Sequence, residues 1–147
     1  MSSSSVVVDA STAVFLVLES PLTSHIETLW KGWIRTATRI CAPNLWLNEV
    51  TSAIQKVYML KGVSEEKAQL ALDAVLALGV EVQPENGELC RNAFRWATAL
   101  KQVAAYDGFY LALSERLGAE FWTADRNLLN HARQLGLTWV HGLAVEN

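Results

Sequence analysis

Hydrophobic and polar positions change period several times along the 147 residues of the chain. Val6-Val7-Val8 is apolar without alternation, as in a strand buried on both faces. Residues 10–18 follow a helical period, which predicts a helix capped by Asp9 or Ser11. Pro21 opens a second helix running to about Arg35, and residues 39–42 form a short strand. Pro43 suits the first turn of a third helix, which continues to about Lys61 before Gly62 stops it. Ser64-Glu65-Glu66-Lys67 opens a fourth, with Ser64 as the cap and acids in its first turn, and it ends at Gly79. Residues 80–82 read as a strand, 84–87 as a loop and 88–101 as a helix. A further helix spans 107–117, a strand 120–123, a helix 126–135 and a last strand 137–140, with residues 2–5 a polar tail.

Strands alternating with helices predict an α/β fold with a mainly parallel central sheet, in one domain over residues 1–147. In such open sheets ligands sit at the carboxyl ends of the strands. Two acids stand at those ends, Asp9 after Val6-Val7-Val8 and Asp125 after Phe121-Trp122-Thr123-Ala124. A third, Asp107, heads the helical pattern Tyr106-Asp107-Gly108-Phe109-Tyr110. A fourth, Glu49, lies within the mostly apolar Leu45-Trp46-Leu47-Asn48-Glu49-Val50.

Each acid can be read in two ways. Asp9, Asp107 and Asp125 can each serve as a helix N-cap, worth on the order of 1 kcal/mol, and a carboxylate that caps with one oxygen still offers the other. Glu49 either turns to solvent or sits partly desolvated beside Trp46 and Ala53, where it needs a partner. Four carboxylates gathered within about 4 Å repel by up to roughly 4 kcal/mol per pair at an effective dielectric near 20. Such a cluster calls for protons or cations, and an all-oxygen set suits Mg²⁺ or Mn²⁺.

Composition changes this picture little. Net charge is −3, from 12 basic and 15 acidic residues, which by itself argues against a basic nucleic-acid-binding surface. Setting the four acids aside as a metal site leaves 11 acids against 12 basic residues, so a phosphate substrate is not excluded. Cys41 and Cys90 fit no metal or redox spacing and read as reduced core thiols. No secretory signal and no membrane-spanning run is visible, so a soluble, cytoplasmic protein is expected.

Val7-Val8-Asp9-Ala10-Ser11, Pro43-Asn44-Leu45-Trp46-Leu47-Asn48-Glu49-Val50, Tyr106-Asp107-Gly108-Phe109-Tyr110-Leu111-Ala112-Leu113 and Thr123-Ala124-Asp125-Arg126-Asn127-Leu128 together resemble a PIN domain. Among PIN domains the pattern is most similar to the VapC-type toxins of prokaryotic toxin–antitoxin pairs. The resemblance implies a small parallel sheet with helices on both faces, a homodimer, and a cognate antitoxin as partner. It implies an endoribonuclease dependent on Mg²⁺ or Mn²⁺, leaving 5′-phosphate and 3′-hydroxyl ends on its RNA substrate. Its catalytic and metal-binding acids correspond to Asp9, Glu49, Asp107 and Asp125, with Asp9 and Asp107 as the main ligands. Ser11 and Thr123 correspond to supporting hydroxyls. Gly108 stands where alanine is more usual, which should loosen the first helical turn.

Arg126, next to Asp125, is either a phosphate contact or a solvated first-turn residue. Lys31, Arg35 and Arg39 either track an RNA backbone or form an ordinary charged face. Trp46, Trp96, Trp122 and Trp139 read as core, whereas Trp30 and Trp33 are open between surface and core. The three histidines have no ligand spacing, no Ser or Cys stands with them as in a hydrolytic triad, and there is no glycine-rich phosphate loop. A receiver domain would need an acid doublet at Asp9 and a late lysine, and a haloacid-dehalogenase-like phosphatase would need an acid where Ser11 stands. The rival from another class is a catalytically silent PIN-like module that binds RNA or protein.

Overall fold

Val6, Val7 and Val8 form the middle of the sheet, and alternate side chains along them separate two cores. The computed structural model describes residues 4–143. Five strands are present among them: β1 (Ser5–Val8), β2 (Arg39–Pro43), β3 (Glu81–Gln83), β4 (Glu120–Thr123) and β5 (Val140–Gly142). The helices are α1 (Ala10–Val17), α2 (Thr23–Arg35), α3 (Leu45–Lys61), α4 (Glu65–Leu76), α5 (Gly87–Ala99), α6 (Tyr106–Leu117) and α7 (Arg126–Gln134). All pairings are parallel, in the order β3-β2-β1-β4-β5.

Val7, Cys41, Phe121 and Val140 face the larger core, where Leu111 and Leu113 of α6 and residues of α1, α3, α4, α5 and α7 cover them. Val6, Val8 and Ile40 face a smaller core closed by Trp30 of α2, with Trp33 and Trp122 packed at its margin. Helices therefore lie on both faces of a buried parallel sheet, as unalternated strands require. Local chemistry sets the helix ends: Ser64 and Asn86 cap α4 and α5 with their side chains, and Gly62 and Gly118 end α3 and α6 in the left-handed region.

Several expectations change. Pro43 closes β2 rather than opening α3, because its missing N–H costs nothing at a strand end. The last strand is Val140–Gly142, since pairing with β4 needs Val140 beside Phe121 rather than residues 137–139. The second helix begins at Thr23, after Pro21. Ser5 belongs to β1, while residues 2–3 of the expected tail lie outside the described residues. Trp30 is core at 4% exposure, and Trp96, Trp122 and Trp139 are only half-buried. Both cysteines are free thiols, but Cys90 is exposed. Among the described residues no helix is long and apolar enough to cross a membrane.

Candidate active site

The strand order reverses direction at β1. The chain moves outward from β1 through β2 to β3, then returns to the other side of β1 with β4 and β5. The crevice at such a switch point, outside the carboxyl ends of β1 and β4, is where open sheets bind ligands. Asp9 directly follows β1 and Asp125 lies two residues beyond β4. The backbones meet there, with Asp9 N donating to Trp122 O at 3.3 Å.

A cavity of about 550 Å³ opens at this edge, and Asp9, Glu49, Asp107 and Asp125 all line it. Glu49 reaches it from the second turn of α3 and Asp107 from the first turn of α6. The structure thus brings together all four acids singled out in the sequence.

Each carboxylate is held differently. Asp9 caps α1: its Oδ1 accepts from Thr12 N at 3.0 Å, Thr12 Oγ1 at 2.8 Å and Ser11 Oγ at 2.8 Å. Its Oδ2 accepts from Thr123 Oγ1 at 2.7 Å and Ala124 N at 3.3 Å. Asp125 caps α7 through Oδ1, which accepts from Asn127 N and Leu128 N. Asp107 is no cap: α6 starts one residue earlier, and Asp107 Oδ2 accepts from Gln102 Nε2 at 2.7 Å. Glu49 does not turn to solvent, since its Oε1 accepts from the buried Tyr110 hydroxyl at 2.7 Å.

The electrostatics follow from burial and from like charges. Desolvation raises the Glu49 pKa, Tyr110's hydrogen bond opposes this, and the charges of Asp107 and Asp9 add to the rise. Desolvation also raises Asp107, opposed by Gln102 and reinforced by Asp125 and Asp9. Burial first, then the Glu49 charge, pushes the Tyr110 phenol well above its ordinary value, so it remains a donor.

Such a set suits a hard cation in its chemistry: all-oxygen donors, two of them held where negative charge is disfavoured. Among the described residues no three His, Cys, Asp or Glu side chains enclose a ready-made metal position as they stand. Mutual repulsion of unscreened carboxylates favours that spread.

Ser11 and Thr123 both touch Asp9, as the resemblance implies. Thr123 is 1% exposed and also accepts from Asp125 N at 3.0 Å, so one hydroxyl ties both strand-end acids together. Thr123→Val leaves the Asp125 N–H without that acceptor and removes a donor from Asp9. It should cost about 1–3 kcal/mol, read as a lower urea midpoint at unchanged slope. An unaltered midpoint would mean that this hydroxyl bears no weight.

Three partners escaped the sequence reading. Tyr110 lies three residues after Asp107, a spacing that places both on one side of a helix and could have flagged it. Thr12 occupies the third position of α1, where a side chain can reach back to the cap. Gln102 reaches Asp107 only through the loop joining α5 to α6, for which the sequence carries no signal.

The basic residues are less engaged. None of Lys31, Arg35, Arg39 or Arg126 lines the cavity. Arg39 begins β2, at the edge away from the acids, and pairs with Glu81 at 2.7 Å. That pair is exposed, so solvent screens it and it adds little to stability.

Beside the acids α6 packs against α5 at Gly108. A Cβ at Gly108 would collide with the Ala93 carbonyl oxygen and press on its backbone carbon. Gly108 therefore does not loosen its turn; it lets α6 seat against α5 beside Asp107.

Comparison with solved structures gives the same fold. PAE2754 from Pyrobaculum aerophilum matches with a TM-score of 0.68 at 22% identity, over 96% of this chain and 84% of that one. VapBC2 from Rickettsia felis, solved with a DNA fragment from its promoter, matches with a TM-score of 0.69 at 12% identity, over 94% and 98%. Mycobacterium tuberculosis VapC20, described as a sarcin-ricin loop cleaving toxin, matches with a TM-score of 0.64 at 16% identity, over 85% and 93%. No curated protein matches the sequence significantly. The family model described as PIN domain matches residues 6–134, so this chain belongs to the PIN domain family.

Proposed function

We propose that the protein is an endoribonuclease dependent on Mg²⁺ or Mn²⁺, the toxin of a type II toxin–antitoxin pair. The observation that carries the reading is the convergence of four carboxylates from separate parts of the chain on one cavity, two of them raised in pKa by burial first and then by neighbouring acids of the set. Further support comes from the likeness in fold to VapBC2 and to the sarcin-ricin loop cleaving toxin VapC20. A cognate antitoxin and a homodimer belong to the same proposal.

Among the described residues, Glu49 Oε2, Asp107 Oδ1 and Asp125 Oδ2 are the oxygens of these acids without a protein donor, and with Asp9 they would hold the cation. Asp9 is better restrained than expected for a main ligand. Five donors surround it, so Ser11 or Thr12 must rotate a hydroxyl away before it can bind directly. A divalent ion held here would supply charge neutralisation at a phosphate and acidify water for the attack. Tyr110 and Gln102 aim the Glu49 and Asp107 carboxylates into the cavity, and Thr123 fixes the spacing of Asp9 and Asp125.

The catalytically silent alternative draws on the lack of an enclosed metal position among the described residues. It leaves unexplained why separate hydrogen bonds hold four mutually repelling acids at one opening. Purified protein should cleave single-stranded RNA with Mg²⁺ or Mn²⁺ and stop with EDTA. Its expression should arrest growth unless its genomic neighbour is co-expressed. Folded protein that leaves RNA intact with either ion would overturn the reading.

A further inference from the structure

Tyr106 opens α6, lines the acid cavity and is nonetheless 64% exposed. Burial of an aromatic ring is favourable, so a ring left in water beside a polar site stands out. Its base is rigid. Lys101 turns the chain with φ 56°, and Gln102 N donates to Ala97 O at 3.0 Å. Gln102 Nε2 is tied to Asp107, and Phe109 N donates to Ala105 O at 3.2 Å. The ring thus stands on a fixed rim rather than on a loose loop.

On the same cavity α3 presents Glu49, Ser52, Ala53 and Lys56, whose spacing puts them on one face. Lys56 is the one cation among the described lining residues. It is exposed and forms no ion pair with any described residue, although four acids share its cavity. Two helical turns separate it from Glu49, about 10 Å along the axis.

We propose that Tyr106 stacks on a base and Lys56 contacts a phosphate, so that together they hold a single strand of RNA across the four acids. This rests on the nuclease reading above. An acidic cavity repels a polyanion until its carboxylates are neutralised, so attraction must come from groups beside them. Lys56 supplies charge at a phosphate next to the scissile one, a contact that positions the strand without reading its sequence. Tyr106 supplies an exposed ring for a base, which stacks whatever its identity. Bases within a duplex already stack on one another and cannot be splayed onto it, so the device selects single-stranded segments.

The test uses the full chain with Mg²⁺ and single-stranded RNA carrying 2-aminopurine next to the cleaved bond. Tyr106→Ala should raise KM about tenfold or more, whereas Tyr106→Phe should leave it near the wild-type value. In a Glu49→Gln background, where the strand survives, adding Tyr106→Ala should abolish the quenching of 2-aminopurine on binding. Lys56→Gln should reduce the slope of log affinity against log salt by about 0.7, the release expected for one phosphate contact on a single strand. If wild-type protein cleaves RNA while both variants keep its KM, quenching and salt slope, the proposal is overturned and the rim serves another partner. Equal loss in Tyr106→Phe and Tyr106→Ala would also overturn it, since the ring would not be the active part. Wild-type protein that neither binds nor cleaves the RNA overturns the nuclease reading itself.

Discussion

Asp107→Asn should lower RNA cleavage by at least about 10²-fold and, without metal, raise the melting temperature. The first effect follows from the several kcal/mol of charge stabilisation that a bound cation supplies, at a factor of ten in rate for each 1.36 kcal/mol. The second follows from the raised pKa of Asp107, caused first by burial and then by Asp125 and Asp9. A carboxylate raised on folding stabilises the protein fully below its unfolded pKa, and that stability is lost as pH rises through the folded value. Above that pH range the carboxylate of Asp107 is therefore a cost to the metal-free fold, which an amide removes. The asparagine keeps an oxygen for Gln102, so the local structure survives. Relief of about 0.5–2 kcal/mol corresponds to roughly 2–6 °C for a chain of this size. Glu49→Gln should act in the same direction, because glutamine still accepts from Tyr110. Mg²⁺ should raise the wild-type melting temperature, more at neutral than at acidic pH, and raise that of Asp107→Asn less. Folded Asp107→Asn that retains full cleavage, or melts lower without metal, would contradict the assignment.

The same acids mark what could be read from the sequence and what could not. Asp9 and Asp125 were legible because an unalternated strand running into an acid defines both a helix cap and the binding edge of a parallel sheet. Glu49 was legible because it sits against the apolar stripe of α3 with no basic neighbour at helical spacing. Asp107 was legible as the acid at the head of a helical pattern; of its two readings the cap fails, because the first turn of α6 starts at Tyr106 and frees it for Gln102. How firmly each carboxylate is held was not legible. Thr123 and Tyr110 reach Asp9 and Glu49 across 114 and 61 residues, and no local pattern encodes such distances. Pro43 and the last strand were misplaced because pairing register, a tertiary property, overrode local preference. Trp30 stands in a stretch of basic residues yet fills the smaller core, where α2 lays it over Val6 and Val8 beside Leu16 of α1 and Trp122 of β4.

Gly108→Ala is expected to lower stability by roughly 3 kcal/mol, the upper end for forcing extra volume into a packed core. That corresponds to a loss of roughly 10 °C in melting temperature. Two effects of opposite sign compete at this position. In an exposed helix, glycine to alanine gains about 1 kcal/mol through backbone entropy. At Gly108 the new Cβ meets the backbone of Ala93, a residue with no exposure, rather than the far end of a flexible side chain. Backbone cannot step aside, so α6 must move away from α5 and the steric term wins. The damage also reaches function, because Asp107 is the next residue and Gln102 holds it from the loop between these helices. A displacement of about 1 Å at a catalytic group can cost 10²-fold in rate, so cleavage should fall with stability. Gly136→Ala is the contrasting case. Its φ is +74° with nothing within 4 Å of a new Cβ, so it meets only the left-handed backbone penalty of about 1–2 kcal/mol and should leave cleavage intact. Thermal melts and RNA cleavage of both variants check this directly, and a Gly108→Ala protein more stable than wild type would show that helix propensity governs the position instead.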